Sequence, residues 1–265
     1  MRNVKSKEQI EIMKKAGKIL GQVLIETLRQ AKPGVTELEL DQFAEEKIKE
    51  LGGEPGFKKV KGYNHSICVS TNDVVVHGIP ADRKLKDGDV IGIDCGVYLG
   101  GFHTDMAETI LVTTNNKQQT TNNKHRETEK FLESGKRAMY AGIKQAKSGN
   151  RVGNISQAIQ RIVEGNGYSV VRSLVGHGVG RSLHEEPQIP GRLEGKLDKT
   201  PVLTLGMTIA VEVIYNMGNY EVKYEGSDDW TIVTKDRSLA GLFERTIVIT
   251  DNGPELLTPF PGEHI

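Results

Sequence analysis

The chain passes twice through the same order of elements, a pair of amphipathic helices followed by a group of strands. Apolar residues recur with helical spacing in each pair, and Thr36 precedes Glu39 with the spacing of a capping box. The predicted helices span Lys7–Ala31, Thr36–Leu51, Arg126–Ala146 and Ile155–Val163. The predicted strands span Ser66–Ser70, Val74–Val76, Val90–Val97, Phe102–Val112, Ser169–Val175, Thr208–Tyr215, Trp230–Thr234 and Leu242–Thr250. This order predicts an α+β fold.

The ends of the two helix pairs share a short motif. Gln30–Gly34 reads QAKPG and Gln145–Gly149 reads QAKSG, and continuing without a gap places Ile48 on Val163. We therefore predict a duplicated unit. The predicted halves cover about 1–112 and 125–250 within a single domain, 1–265, and are joined by a polar loop at 113–124. The alternative is that helix ends share glycine and lysine by chance.

Charge and hydropathy exclude several classes of protein. Lys plus Arg and Asp plus Glu both number 35 in 265 residues, which argues against a protein that binds nucleic acid or an anionic membrane. The N-terminus lacks the apolar core of a signal peptide, and no stretch approaches the roughly 18 apolar residues of a membrane span. The two cysteines, Cys68 and Cys95, fit a reducing compartment. We expect a cytoplasmic protein.

Four acidic residues interrupt strands that are otherwise apolar. They are Asp94, Asp105, Glu212 and Glu244. Burying an ionised carboxylate without a partner costs several kcal/mol, so a chain that keeps four of them must supply a counter-charge. A single strand carboxylate is more often explained by a bulge, an edge or an ion pair. Four of them, together with the glycine-flanked His177, favour a shared site.

The glycine pair Gly100-Gly101 determines where two of these carboxylates fall. As a two-residue hairpin turn it places Asp105 opposite Gly96, whereas a three-residue loop would change the register. Asp94 is two residues from Gly96, so the two aspartates point to the same face as diagonal neighbours, roughly 7 to 8 Å apart at the backbone. Two carboxylates in this position repel each other unless a cation lies between them.

Carboxylates combined with one imidazole are ligands for borderline-to-hard divalent ions. Two Asp, two Glu and His177 suit a two-metal site, whose ions lie roughly 3.5 to 4 Å apart and share ligands. The glycines around His177 allow close backbone approach, and Gly176–Gly180 lacks the GxGxxG spacing of a dinucleotide-binding loop. Scans for Walker A, GxSxG, CxxC and HExxH are negative. His184 begins HEEPQ, which lacks the second histidine of a zincin.

Several motifs together are similar to those of one peptidase family. They are Val76–Pro80, the interval from Asp94 to Asp105, Gly176–Gly180, His184–Pro187 and the stretch from Trp230 to Thr246. On these motifs the chain resembles type I methionine aminopeptidases over nearly its whole length. The resemblance implies the pita-bread fold, with duplicated helix-helix-strand halves, a curved and mainly antiparallel sheet, and helices on its outer face. The short interval between His184 and Glu212 leaves no room for the insertion of type II enzymes.

The resemblance implies a dinuclear metal centre and a hydrolytic function. The implied ligands are Asp94, Asp105, His177, Glu212 and Glu244. Asp105 and Glu244 would bridge two divalent ions (Co, Mn, Fe or Zn), and Asp94 would bind one ion through both oxygens. A metal-activated water would attack the first peptide bond. This methionyl aminopeptidase would remove the initiator methionine of nascent proteins when the second residue is small.

The resemblance also assigns catalytic roles. Glu212 would be the proton shuttle, and His184 would stabilise the carbonyl oxygen of the scissile bond. His77 would contact the second residue of the substrate, although the residue types alone favour an ordinary turn histidine before Gly78.

The implied methionine pocket consists of residues that would equally serve as core, namely Tyr63, Cys68 and Trp230. Leu183 stands where an aromatic residue is common, and Val60 and Lys61 depart from the usual pocket lining. Val213 and Arg245 each follow a ligand, where the family often has proline and histidine; neither change removes a ligand. Cys68 has no base beside it in the sequence, which argues against a nucleophile.

Two other functions fit part of the sequence. A prolidase or aminopeptidase P shares the fold but carries a large N-terminal domain, whereas the predicted ligand hairpin begins near residue 90. A non-catalytic pita-bread protein that binds RNA or ribosomes would have lost ligands, and this chain keeps all five. We expect a monomer that binds the N-terminal peptide of nascent proteins, with the ribosome as a further candidate partner and no membrane or nucleic-acid partner.

Overall fold

The computed structural model describes residues 4–114, 123–226 and 228–264. Its helices are α1 (Lys7–Gln30), α2 (Glu37–Glu50), α3 (Asn123–Ile143) and α4 (Val152–Gly165). Its strands are β1 (Glu54–Pro55), β2 (Ile67–Thr71), β3 (Val74–Val76), β4 (Val90–Leu99), β5 (Phe102–Leu111), β6 (Ser169–Val170), β7 (Gly176–Gly178), β8 (Glu185–Ile189), β9 (Thr208–Asn216), β10 (Val222–Tyr224), β11 (Ile232–Thr234), β12 (Ala240–Thr250) and β13 (Gly253–Leu256). None of the described helices combines the length and the apolar character of a membrane span.

The four predicted helices are confirmed, with ends that differ by a few residues. Ser6 caps α1 and Thr36 caps α2, each in a reciprocal capping box with the residue three positions later, which satisfies amide donors at both helix starts. Asn123 begins α3 slightly earlier than predicted. Residues 115–122 of the predicted polar loop lie outside the described part of the chain.

The strand predicted over Ser169–Val175 is wrong. After Val170 the chain leaves the sheet and returns only at Gly176, so two short strands, β6 and β7, replace one continuous strand. Both pair with β9, β6 at its C-terminal end and β7 nearer its start, and a single straight strand cannot occupy both places. Four short strands were not predicted, namely β1, β8, β10 and β13. None has a long apolar run, and β1, β8 and β13 each contain a proline.

The main sheet is antiparallel throughout its described pairs. Its order is β1-β4-β5-β12-β9-β7-β8, and β2, β13 and β6 pair with β4, β12 and β9, respectively. A second sheet has the order β10-β11-β3. The predicted α+β class with a mainly antiparallel sheet is therefore confirmed. The single domain and its two half boundaries stay a prediction.

Successive side chains along each strand point to opposite faces of the sheet, one covered by helices and the other open. Ile91 and Ile93 of β4 pack with Leu20 of α1 in one core cluster. Val211 of β9 packs with Phe131 of α3 in another. The helices therefore cover the same face of the sheet, as predicted, and the strand residues in between point to the opposite face.

The C-terminal segment, defined here as Leu257–Glu263, lies directly on the backbone of α1. A Cβ atom at Gly17 would collide with the carbonyl oxygen of Leu257, and one at Gly21 would collide with that of Pro259. The two glycines sit one helical turn apart and leave a flat surface for the segment.

Replacing Gly17 with alanine should push the C-terminal segment away from α1. We expect the free energy of unfolding to fall by about 1 to 3 kcal/mol, as at other overpacked positions, in urea denaturation followed by circular dichroism. Gly165→Ala in α4 is the matched control, because a Cβ there meets no atom within 4 Å. Unchanged stability of the Gly17→Ala protein would contradict this close contact.

Candidate metal centre

Four neighbouring strands each contribute one carboxylate to the open face of the sheet. Asp94 lies on β4, Asp105 on β5, Glu244 on β12 and Glu212 on β9. Ala107 of β5 pairs with Asp94 on one side and with Glu244 on the other, and Glu244 also pairs with Glu212. The antiparallel register therefore brings together acidic residues that are far apart in the sequence.

The predicted hairpin register is confirmed. Gly100 and Gly101 form the two-residue turn with φ values of 55° and 91°, which glycine adopts without the steric cost of a side chain. Asp105 lies opposite Gly96, and Asp94 lies two residues before Gly96 in β4, on the same face of the sheet. The local turn thus fixes the first two carboxylates relative to each other.

His177 points its Nε2 atom at the carboxylates. β7 pairs with β9, and Nε2 lies 3.8 Å from an oxygen of Asp105, 4.0 Å from Glu212 and 3.9 Å from Glu244. Nδ1 lies 2.9 Å from the carbonyl oxygen of Gly178, so it is the protonated nitrogen and donates to that oxygen. The lone pair of Nε2 is thereby directed toward the site, as in histidines that bind metals.

The glycines beside His177 allow a close approach of the backbone, as predicted from the sequence. A Cβ at Gly178 would collide with the carbonyl oxygen of Glu186, and one at Gly176 would come within 2.6 Å of the carbonyl oxygen of Ala210. Only glycine allows β7 to lie this close to both of its neighbours, β8 and β9.

Burial raises the pKa of every carboxyl group in the cluster. The pKa of Asp94 is raised to about 7. Burial, reinforced by neighbouring carboxylates, raises the pKa values of Asp105, Glu212 and Glu244 well above their usual range. His177 is also buried, which lowers its pKa to about 4 and keeps its imidazole neutral. Without a cation the site favours protonated carboxyl groups.

Divalent cations fit these donors. One ligand atom each from Asp105, His177 and Glu244 lie within 4.8 Å of one another, and all three residues are buried. Asp94 Oδ1 and Glu244 Oε1 are among the buried side-chain atoms of the described residues that lack a hydrogen-bond partner. Buried carboxylate oxygens without partners are costly, and a divalent ion would satisfy them.

The two other predicted histidines lie at the same cavity. The ring of His184 is 4.4 Å from that of His177, and the ring of His77 contacts Trp230 edge to face at 6.4 Å. Burial lowers the pKa of His77 to about 4 and also lowers that of His184, so both rings are neutral N–H donors at pH 7. His77 adopts a φ of 56°, an uncommon conformation for a residue with a side chain.

An apolar pocket opens beside the carboxylates. The predicted pocket residues Tyr63, Cys68 and Trp230 line it together with Leu183. The Tyr63 hydroxyl donates to the carbonyl oxygen of Ile67 at 2.8 Å, and its ring meets Trp230 edge to face at 5.1 Å. The hydrogen bond and the ring contact hold Tyr63 in the pocket wall. Because its hydroxyl is paired with the backbone, the ring presents an apolar surface to the pocket.

Cys68 is unsuited to nucleophilic catalysis. Burial, followed by the charge of Asp94 on the neighbouring strand, raises the pKa of its thiol well above the usual range. A thiol in this state is not a nucleophile at neutral pH, in agreement with the sequence analysis.

Three further residues that the sequence analysis did not select line the same cavity, namely Phe57, Val76 and Leu242. Leu242 was within reach of sequence reasoning, because it lies two residues before Glu244 and therefore on the same face of β12. Val76 directly precedes His77. Phe57 carries no local signal, since a short 3-10 helix far from the ligand strands in sequence positions it.

The two residues that depart from the family pattern beside the ligands lie on the other face of the sheet. Val213 is buried against α3 and α4, and Arg245 is fully buried with Glu108 and Glu263 as partners. Neither side chain lines the cavity. Strand alternation therefore explains why these changes leave the donor set intact.

The sequence model of metallopeptidase family M24 matches residues 11–251. The chain belongs to metallopeptidase family M24. A methionine aminopeptidase from Clostridium perfringens is 44% identical over 255 residues, which cover 96% of this chain and 98% of that protein. The match thus includes both pairs of ligand-bearing strands.

Solved structures of two peptidases share the fold. Methionine aminopeptidase from Thermotoga maritima superposes with a TM-score of 0.89 at 38% identity and covers 97% of this chain and 99% of that one. An Xaa-Pro dipeptidase from Bacillus anthracis gives a TM-score of 0.74 at 22% identity, and this chain covers 64% of it. The second likeness shows the fold alone, which is the pita-bread fold.

The metal-free protein should lose stability as the pH rises from 6.5 to 8. Asp94 has a pKa of about 7 when folded and 3.8 as its reference value, so in this range the folded state holds a proton that the unfolded state has released. The free energy of unfolding then falls with pH, by about 1 kcal/mol from Asp94 alone. The buried histidines oppose this fall by a few tenths of a kcal/mol each, because their lowered pKa values lie below the unfolded value of about 6.5. Asp105, Glu212 and Glu244, whose pKa values are also raised, add to the fall and keep its sign.

Thermal melts of chelator-treated protein at the two pH values measure this effect. Asp94→Asn should reduce the loss, and added Mn²⁺ should remove it by replacing the protons. A melting temperature that is equal or higher at pH 8 would contradict the expected charge state.

Proposed function

We propose that the protein is a metal-dependent methionine aminopeptidase that removes the initiator methionine of nascent proteins when the second residue is small. The observation that carries this proposal is the apolar pocket joined to the carboxylate cluster. Cys68 of the pocket pairs with Asp94 across β2 and β4, and one cavity is lined by both. A substrate whose first side chain enters the pocket presents its first peptide bond to the carboxylates.

The proposed cofactor is a pair of divalent ions. Asp94, Asp105, His177, Glu212 and Glu244 would hold them, with Asp105 and Glu244 shared between the ions. Carboxylate oxygens with one imidazole accept Mn, Co, Fe or Zn. Ions held by these residues would supply Lewis-acid chemistry, which would lower the pKa of water and polarise the scissile carbonyl group.

The remaining chemistry falls to three residues of the chain. We assign Glu212, which lies on β9 beside the other carboxylates and lines the cavity, to carry a proton from water to the leaving amine. His184, neutral and next to His177, donates an N–H to the carbonyl oxygen of the scissile bond. His77 donates to the backbone of the second residue from the rim of the pocket.

The contact between His77 and Trp230 supports selectivity for a small second residue. Their rings lie edge to face at 6.4 Å, and both residues line the cavity. The methionine side chain of the substrate would lie against Tyr63, Cys68 and Trp230, and a bulky neighbour would meet the two rings.

The cellular setting follows from the proposed substrate. Initiator methionine is removed from chains still being made, so we place the enzyme in the cytoplasm, acting as a monomer on N-terminal peptides near the ribosome. The relatives named methionine aminopeptidase, which match the chain over almost its full length, support this substrate class.

Peptide cleavage after metal exchange tests the proposal. The protein is stripped of metal, supplied with Mn, Co, Fe or Zn in turn, and incubated with Met-Ala-Ser, Met-Leu-Ser and Ala-Pro-Ala. We expect methionine release from Met-Ala-Ser at a rate at least tenfold above that from Met-Leu-Ser, and no cleavage of Ala-Pro-Ala. Preference for the proline peptide would favour a prolidase, and no cleavage with any metal would favour a non-catalytic binding protein.

Single substitutions test the shared ligands. Asp105→Asn and Glu244→Gln should each reduce the bound metal from two ions to one or none and lower kcat at least about a hundredfold, because each removes charge from both ion positions. Asp89→Asn is the control, since Asp89 is also a buried carboxylate but bonds to Arg83 and Asn72 away from the cavity. Metal content and peptide cleavage are measured together, and an active variant with two ions would contradict the bridging roles.

A further inference from the structure

The contact between β5 and β12, called the seam here, joins the strands that carry Asp105 and Glu244. Among the described residues its backbone pairing covers only Glu244 with Ala107 and Arg245 with Met106. The neighbouring pairs are much longer, since β4 pairs with β5 along the whole of both strands. The seam therefore has few backbone hydrogen bonds where the two candidate bridging ligands meet.

Threonine hydroxyls replace the missing backbone bonds on both sides of the seam. Thr246 Oγ1 donates to the carbonyl oxygen of Asp105 at 2.8 Å and accepts from the Asp105 amide at 3.0 Å. Thr109 Oγ1 makes the same pair of bonds to Leu242, at 2.6 and 2.9 Å. The backbone of Asp105 is thus held by the side chain of Thr246, which lies two residues after Glu244 on β12.

Arg245 clamps the seam from the helix-covered face. Its guanidinium donates to the carbonyl oxygens of Ala107 at 3.1 Å and Glu244 at 2.8 Å, one on each strand. It also donates to Glu108 of β5 at 2.7 Å and to Glu263 at 3.0 Å. A fully buried guanidinium with two carboxylate partners has little freedom to move.

The C-terminal segment holds both of these residues. The amide of Thr246 donates to Thr258 Oγ1 at 2.9 Å, and its carbonyl oxygen accepts from the amide of Leu257 at 2.9 Å. Glu263 holds Arg245 and is itself bonded to the hydroxyl of Tyr140 in α3. The segment therefore reaches the seam at two adjacent residues of β12.

We propose that Thr246 and Arg245 are positioning residues for the metal centre, and that the C-terminal segment locks them through Thr258 and Glu263. Together they fix Asp105 relative to Glu244, and hence the separation of the two shared ligands. Neither side chain reaches the cavity, so they act only through the strands that they join. This inference rests on the proposed function, which makes Asp105 and Glu244 shared ligands.

Binding of Mn²⁺ to the metal-free protein, followed by isothermal titration calorimetry, tests the inference. We expect Thr246→Val and Glu263→Gln to weaken Mn²⁺ binding at least about tenfold, the range seen for residues that orient metal ligands. Thr246→Ser keeps the hydroxyl and should bind Mn²⁺ within about twofold of the wild-type protein. If Thr246→Val does not fold, Glu263→Gln, which keeps the shape of the side chain, provides the test.

Two substitutions elsewhere separate positioning from a general loss of stability. Thr27→Val removes a buried hydroxyl that bonds within α1, and Glu37→Gln neutralises a buried carboxylate that bonds to Thr71. Thermal melts of the metal-free proteins report stability, and both controls should bind Mn²⁺ as the wild-type protein does even where their melting temperatures fall.

The outcomes distinguish this inference from the proposed function. Wild-type affinity in Thr246→Val and Glu263→Gln, or an equal loss of affinity in the controls, would overturn the positioning role alone. Wild-type protein that binds no Mn²⁺ would overturn the metal centre itself and this inference with it.

Discussion

The structure depends on one electrostatic constraint, the crowding of four carboxylates on one face of a sheet. Burial raises all four pKa values, and no basic side chain other than His177 contacts these groups among the described residues. Such a site must hold either protons or cations, since unpaired charge in a dry environment is costly. The antiparallel order β4-β5-β12-β9, the close approach of β7 and the helix-covered opposite face all serve to bring these groups together and to keep them buried.

Strand alternation keeps the positive charge of the sheet away from this cluster. Arg245 follows Glu244 directly in the sequence, but its side chain lies on the helix-covered face, where Glu108 and Glu263 neutralise it. The carboxyl groups of the open face therefore have no ion pair with this arginine, while its guanidinium bonds to the backbone of both central strands. Arg245 thus holds the two central strands together without forming an ion pair with the candidate ligands.

Sequence reasoning went furthest where the geometry is local. The turn at Gly100-Gly101 has a fixed register, so the relation of Asp94 to Asp105 followed from spacing alone. The pairing of β5 with β12 joins segments that are distant in the sequence, and the periodicity of a sequence does not encode such contacts. For that reason the seam, β8 and the position of Phe57 in the cavity could not be predicted from the sequence. The candidate donor set came from acidic residues on apolar strands together with His177, and the family resemblance supplied the role of each residue. The register of the four strands shows how their carboxylates come together. The threonines of the seam look like ordinary strand residues in the sequence, because their hydroxyls act across strands.

Because the C-terminal segment bonds to β12, the candidate metal centre is completed only at the end of translation. The hairpin with Asp94 and Asp105 is synthesised long before β9 and β12, and the residues that bond to Thr246 follow later still. A chain made only as far as α4 carries two of the carboxylates on an isolated hairpin, without His177 or the strands β9 and β12. Metal capture would be a late step of biogenesis, and an enzyme that trims other nascent chains would stay inactive during its own translation.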